Sequence, residues 1–396
     1  MELTTKQAEG LQIAIERFKN KERYTTIAGY AGTGKSTLVK FIIAALTQYG
    51  INPDKDVVYT SFTGKATQVL QKKGNKNVST LHKLLYEYYP KSTGGFYRKV
   101  KTFIPYKVVV VDECSMAPKD LLQELYKKNV YILCLGDPGQ LPPLKEDDNN
   151  HLLDNPHIFL DEIMRQAAES EIIQLSMKIR NDEPIECFQG KEVQVLKKSD
   201  LTTGMMQWAD QIICATNATR VSLNNQMRQL LGRGDMPEDG DKVICLRNYW
   251  ETISDSESAL VNGTIGYLEN TTQSFLQIPK YFTSEGKQKN VDVVLANFNS
   301  DSGEYFDSLM MDKKMILEGE NSLDWQTTFK MNKKGMPIPM EFTYGYAITG
   351  HKSQGSEWDK VLIIEEKFPF KKDEHKRWLY TCVTRAAQKV VLIRPD

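Results

Sequence analysis

The sequence predicts an α/β fold on parallel sheets, with one lobe that carries a phosphate-binding loop and a second that does not. Three observations predict it. Gly29-Tyr30-Ala31-Gly32-Thr33-Gly34-Lys35-Ser36 satisfies G-x-x-x-x-G-K-[ST] between a strand-like and a helix-like segment. Short continuous apolar runs, as expected of strands buried on both faces, end in polar residues at Asp112-Glu113 and Gly136-Asp137. A second series of such runs follows in the C-terminal half, with no loop of that kind attached.

Taken in order, Tyr24 to Ala28 is the strand leading into the loop. The helix after it places Leu38, Phe41, Ile42, Ala45 and Leu46 on one face and stops at Gly50. Glycines let the backbone wrap tightly, so that consecutive N–H groups and the helix N-terminus face phosphate oxygens. Gly29, Gly32, Thr33, Gly34, Lys35, Ser36 and Thr37 are thus the expected nucleotide-binding residues. Lys35 reaches the β- and γ-phosphates, and the Ser36 hydroxyl holds Mg²⁺, which makes ATP and Mg²⁺ the expected cofactors. Lys107 to Val111 is the next strand. Asp112 at its C-terminal edge is placed to hold the metal, and Glu113 to orient and polarise the attacking water. A third strand, Tyr131 to Leu135, delivers Gln140 to the same crevice as a reporter of the γ-phosphate.

The later elements are a strand at Ile212 to Ala215, capping residues Thr216-Asn217 and a helix through Leu231. Strands at Val361 to Ile364 and Val390 to Ile393 flank a helix around Trp378 to Thr384. Two insertions break this pattern. Tyr86 to Pro90 and Phe96 to Val100 flank Ser92-Thr93-Gly94-Gly95, a β-hairpin with a glycine-rich tip. Between Gly263 and Ile338, strand-like pieces (Gly263 to Tyr267, Phe275 to Pro279, Val291 to Leu295) alternate with polar loops, which suits a small β-barrel. Glu304 to Leu317 reads as a helix within it. The expected boundaries are 1–85 and 104–180 for the first lobe, 86–103 for the hairpin, 181–262 and 339–396 for the second lobe, and 263–338 for the barrel-like insertion.

Composition constrains less. Lys+Arg and Asp+Glu both total 51 in 396 residues, so the balance neither demands nor forbids a nucleic-acid partner, which needs only a local basic groove. Six scattered cysteines without metal spacing point to a reduced compartment. No apolar run approaches ~18 residues and the start carries no signal-peptide core, so a cytoplasmic protein with no membrane partner is expected.

The ordered set Tyr30 to Ser36, Asp112-Glu113-Cys114-Ser115-Met116 and Gly136 to Pro143 resembles the motor motifs of superfamily 1 helicases. The 5′-to-3′ branch that includes RecD and the phage helicase Dda matches best. That resemblance implies two RecA-like motor domains, ATP hydrolysis, and movement along single-stranded DNA into fork junctions, in a bacterial or phage setting with replication or recombination proteins as partners. Thr5-Lys6-Gln7 is similar to the family's adenine-reading segment, which makes Gln7 the adenine contact. Thr60 to Ala66 and Ser79 to His82 resemble two DNA-contacting motifs, implying Thr63, Lys65, Thr80 and His82. Ile348 to Ser356 resembles a late motif, implying His351, Lys352, Ser353 and Gln354 on the second lobe. Small hydroxyls and amides suit a sequence-blind reader of phosphates.

Leu160 to Gln166 and Tyr380 to Ala386 are similar to the segments that supply arginines to the γ-phosphate, here Arg165 and Arg385. A cation in that role is worth roughly 10³–10⁵ in rate, or about 4–7 kcal/mol, against ~0–1 kcal/mol for a surface ion pair. An insertion at the hairpin's place serves in the family as a pin at the fork, implying Phe96 and Tyr97. The motifs do not identify the sugar, so an RNA helicase remains an alternative. A non-unwinding ATP-switch subunit of a recombination complex is another.

Overall fold

The computed structural model describes residues 3–62, 64–90, 96–142, 151–256, 258–366 and 372–396; the side chains of residues 65, 68, 72, 88, 90, 96, 165, 166, 250 and 372 lie outside that description. By packing, these fall into two compact units. One comprises Met1–Leu85, Val100–Thr216 and Ile348–Asp396, the other Tyr86–Lys99 and Asn217–Ala347.

β-branched runs build the first unit. Val108–Val111 is buried at every position and Tyr24–Gly29 at all but its first, as strands covered on both faces require. They belong to a six-stranded sheet with the order Val78–Thr80, Val57–Ser61, Val108–Val111, Tyr131–Gly136, Tyr24–Gly29, Ile158–Leu160. All its pairings are parallel. Parallel strands need crossovers, so every loop at their C-terminal ends opens on one edge, and that edge collects Gly29, Asp112 and Asp137. Beneath it, Ile27, Leu38, Ile42, Leu46, Val108 and Leu133 form one apolar cluster. Each such side chain contributes about 1.5–3 kcal/mol on burial, which holds the strand and helix that flank the loop.

A second six-stranded sheet in the same unit runs Ala347–Thr349, Gln211–Cys214, Trp358–Ile364, Ala386–Arg394, Val193–Lys197, Phe188–Gln189. Its central pairs are parallel, and the short edge strand Phe188–Gln189 pairs antiparallel. The helix Lys372–Val383 links two of its strands. Two parallel sheets with helical crossovers are the expected two RecA-like domains.

The other unit is built on an antiparallel sheet in the order Tyr305–Asp312, Lys289–Ser300, Ile265–Ile278, Lys242–Cys245, Phe342–Tyr344. Met340 exchanges backbone hydrogen bonds with Met310 and Asp312 at 2.7 and 2.8 Å, so the sheet curls towards closure as a small barrel-like body. Here two expectations are corrected. The pieces read as separate short strands are one long hairpin, paired from Gly266↔Ser300 to Ile278↔Lys289. The segment read as a helix from Glu304 to Leu317 is a strand over Tyr305–Asp312, with helix only at Lys313–Glu318. Tertiary pairing overrides local helix propensity: Phe306 lies opposite Phe298, with Leu309 and Met311 also buried, and the neighbouring strand satisfies the backbone. The hairpin strands Tyr86–Pro90 and Phe96–Val100 form as expected, while the tip, residues 91–95, lies outside the described residues.

Candidate active site

The phosphate loop takes the conformation its glycines permit. Gly32 and Gly34 stand at φ +76° and +78°, where side-chain-bearing residues are strained. At Gly34 a Cβ would also run into the Met164 sulfur and the Gln7 amide. The helix Lys35–Leu46 then starts with no side-chain cap among the described residues. Its first N–H groups therefore need an acceptor from elsewhere, and an anion meets that need. Lys35 Nζ donates to the carbonyls of Gly29 (2.6 Å) and Tyr30 (3.0 Å), which folds the ammonium over the loop.

Beside it, a cavity of about 80 Å³ is lined by Ser36, Thr37, Lys73, Asn75 and Asp112 among others. Burial, reinforced by Glu113, pushes the Asp112 carboxyl above its ordinary range, while Lys73 and Lys35 pull it back. A buried carboxylate beside a hydroxyl is an oxygen donor set suited to a hard divalent cation, so these residues fit Mg²⁺. Glu113 occupies the left-handed region at φ +50°. This costs of order 1–3 kcal/mol, and its N–H donates to Asp112 Oδ1 at 3.0 Å. Gln140 Nε2 donates to Glu113 Oε1 at 3.4 Å, and the Arg385 guanidinium stands 3.9 Å from the same oxygen. Lys35, Asp112, Glu113, Gln140 and Arg385, dispersed over the chain, thus converge on one crevice.

Arg385 is buried and firmly held. Its nitrogens donate to the carbonyls of Thr381 (3.0 Å) and Ser356 (3.2 Å) and to the Thr384 hydroxyl (3.2 Å). Tyr380, one turn earlier, makes a contact that motif spacing did not suggest. Its hydroxyl accepts the Ala31 N–H of the phosphate loop and donates to Asp137, both at 2.8 Å. The Leu141 N–H donates to Thr381 Oγ1 (2.9 Å), and the Gln354 amide donates to the Leu141 carbonyl. Burial raises the Asp137 pKa, against Lys35 and the Tyr380 hydrogen bond. Arg180 also escaped the sequence reading: its guanidinium lies 4.0 Å from the Tyr30 ring centroid.

Gln7 is fully buried, closing the capping box with Thr4 at the first helix and donating to the Thr33 carbonyl at 3.1 Å. Arg165 opens the helix Arg165–Ala168, and the preceding Met164 N–H donates to the Gly32 carbonyl at 3.0 Å. The Arg165 side chain lies outside the described residues, as do Thr63 and the side chains of Lys65 and Phe96. Thr80 accepts from the Lys83 N–H (3.2 Å). His82 is buried with its ring 5.6 Å from that of Phe62. Ser353 is buried too, its hydroxyl donating to the Gly350 carbonyl (2.7 Å). His351 and Lys352 are half-buried, and burial lowers the His351 pKa. Tyr97 is half-exposed and stacks on Tyr89 at 5.5 Å and 25°.

Residues 2–203, just over half of the chain, match the AAA domain family, and residues 344–393 match the UvrD-like helicase C-terminal domain. The chain belongs to the superfamily 1 helicases, in the group of RecD and Dda. The ATP-dependent RecD2 DNA helicase of Deinococcus radiodurans is 27% identical over 385 residues, covering 93% of this chain and 46% of that protein. The ATP-dependent DNA helicase dda of Enterobacteria phage T4 is 29% identical over 193 residues, covering 46% of this chain and 43% of that one. The chain therefore spans less than half the length of the RecD2 relative, and its match to Dda covers less than half of each chain. The crystal structure of a Bacteroides Pif1 helicase in complex with ADP-AlF3 and ssDNA shares the fold, with a TM-score of 0.50 at 18% identity, over 100% of this chain and 95% of that one. No helix among the described residues is long and apolar enough to cross a membrane.

Proposed function

We propose that this helicase hydrolyses ATP to move 5′-to-3′ along single-stranded DNA and to open duplex at a fork. The observation that carries this reading is the reach of the helix Lys372–Val383 and its C-terminal end to the phosphate loop: Tyr380 holds the Ala31 N–H, and Arg385 faces Glu113. A group that occupies the loop changes contacts on both sheets at once, which supports coupling between nucleotide state and lobe position.

When bound, ATP with Mg²⁺ supplies a polarised phosphoryl group for transfer to water. The chain's own residues supply the rest. Lys35 exchanges its two carbonyl acceptors for phosphate oxygens. Ser36 and Asp112 supply the oxygens that would hold the metal, and the N–H groups at the start of Lys35–Leu46 would donate to the anion. Glu113, steadied by Gln140 and Arg385, orients a water and takes its proton. Arg385 and Arg165 are the proposed counter-charges to the γ-phosphate, and Gln7 the proposed adenine contact.

Thr63, Lys65, Thr80, His351 and Lys352 are the proposed strand contacts. His82, Ser353 and Gln354, whose side chains turn into the protein, shape the loops that carry them. The hairpin with Phe96 and Tyr97 is the proposed fork pin. Steady-state ATPase with and without single-stranded DNA or RNA, then strand displacement on 5′- and 3′-tailed duplexes, tests the reading. DNA-stimulated turnover and opening of only the 5′-tailed duplex are expected. Turnover indifferent to any polynucleotide would refute it.

A further inference from the structure

The second unit ends in a tip that plays no part in the chemistry above. There the helix Trp325–Lys333 packs on the hairpin turn at residues 279–289. Asp324 caps it, accepting from the Thr327 N–H (2.9 Å), the Thr327 hydroxyl (2.6 Å) and the Ser284 hydroxyl (3.1 Å). Ser284 N–H donates to Thr327 Oγ1 (3.2 Å), and Lys330 Nζ to the Thr283 carbonyl (3.3 Å). Thr327 and Met331 are buried, with Met331 in a core of Ile278, Phe282, Val291, Val293 and Leu323.

Fixing that face inward fixes the opposite face outward. Trp325 is 75% and Phe329 55% exposed, and their rings stack at 5.4 Å and 18°. Tyr281, on the adjoining turn, is 69% exposed and leans on Phe282 at 4.5 Å. Gln326, Asn332, Lys333 and Lys334 complete the outward face of the helix and its end. Across residues 279–289 and 324–334 there are six lysines against two carboxylates, Glu285 and Asp324, and Asp324 is engaged by the cap. Single exposed aromatics are ordinary, but Trp325 and Phe329 are stacked on each other as a contiguous apolar patch rimmed by cations. Protein interface cores are enriched in arginine and depleted of lysine, whereas every cation in these two segments is lysine. Aromatic faces among ammonium and amide groups match stacked bases and their phosphates.

We propose that Trp325, Phe329 and Tyr281 form a stacking platform for the bases of single-stranded DNA, with Lys280, Lys333 and Lys334 at its phosphates. The choice of DNA rests on the motor reading; binding at the tip does not require hydrolysis.

The test is fluorescence anisotropy of a long oligothymidylate with the full chain, comparing wild type, Trp325→Phe and the double variant Trp325→Ala/Phe329→Ala. Photocrosslinking of the same oligonucleotide maps the contact. The double variant should bind roughly five- to hundredfold more weakly at an unchanged melting temperature, and Trp325→Phe close to wild type. The crosslinked peptide should contain Trp325 or Phe329. Undiminished affinity of the folded double variant would overturn the proposal. So would a wild-type dimer, seen in sedimentation, that the double substitution dissolves, because the face would then serve self-association. The motor reading fails on a different result, the absence of DNA-stimulated ATPase, so the two failures are separable.

Discussion

Glu113 shares one carboxylate oxygen between the Gln140 amide and the Arg385 guanidinium, on a residue held at positive φ. Such a group cannot move without releasing both partners, and one of them, Arg385, directly precedes the strand Ala386–Arg394 of the second sheet. Arg385→Ala should retain nucleotide binding and lose about 10³-fold or more in turnover, checked by steady-state ATPase beside equilibrium binding of a labelled nucleotide. Tyr380→Phe removes the acceptor of the part-buried Ala31 N–H and the buried hydrogen bond to Asp137, a net cost of about 1 kcal/mol. A lower melting temperature is expected, together with weaker stimulation of ATPase by DNA. The two residues differ in legibility. Arg385 stood in a motif with a known charge partner, whereas Tyr380 lay in the same motif with nothing in the linear order to bring it to Ala31. Arg180 over Tyr30 had no signal in the sequence at all, since one cation near the end of a helix looks like any other.

At the scale of elements, the phosphate loop and its helix form one device. Gly34→Ala forces a Cβ into the left-handed region and against Met164 and Gln7, so nucleotide binding should disappear while the apolar cluster beneath keeps the fold. A calorimetric titration that still showed wild-type affinity would contradict this. The tip helix is sensitive to acid. Thr327 and Ser284 hold the Asp324 carboxyl at about 2, below its ordinary 3.8. A depressed carboxylate stabilises the folded form above its unfolded pKa, and that contribution is lost as pH falls through the folded value. Protection factors of the amides in Trp325–Lys333, which correct for intrinsic exchange, should therefore fall between about pH 4 and pH 2, and Asp324→Asn should remove that fall. Legibility was poorest in this same unit. Strand and helix look alike in a short stretch such as Tyr305–Asp312 until the neighbouring strand is known, because its buried positions are set by pairing with Lys289–Ser300.

For the whole molecule, balanced charge means that strand binding depends on local cations. Affinity for single-stranded DNA should fall steeply with salt, linearly in the logarithms, through counterion release. A flat profile between low and moderate salt would be incompatible with phosphate contacts. Lys35→Ala should keep that binding and lose hydrolysis, which separates grip from drive in one pair of assays.

Sequence alone determined the parallel α/β lobes, the phosphate loop and the Asp112-Glu113 edge, because each rests on local rules: β-branched runs buried on both faces, glycine at positive φ, carboxylates at a strand's end. Tertiary structure decided which distant groups share an atom. Burial turned Ser353 and Gln354 to backbone carbonyls, cross-strand pairing made Tyr305–Asp312 extended, and helix packing put Tyr380 on the phosphate loop and Trp325 in water. Those outcomes follow from competition among neighbours for burial and hydrogen bonds, and the linear chain does not name the neighbours.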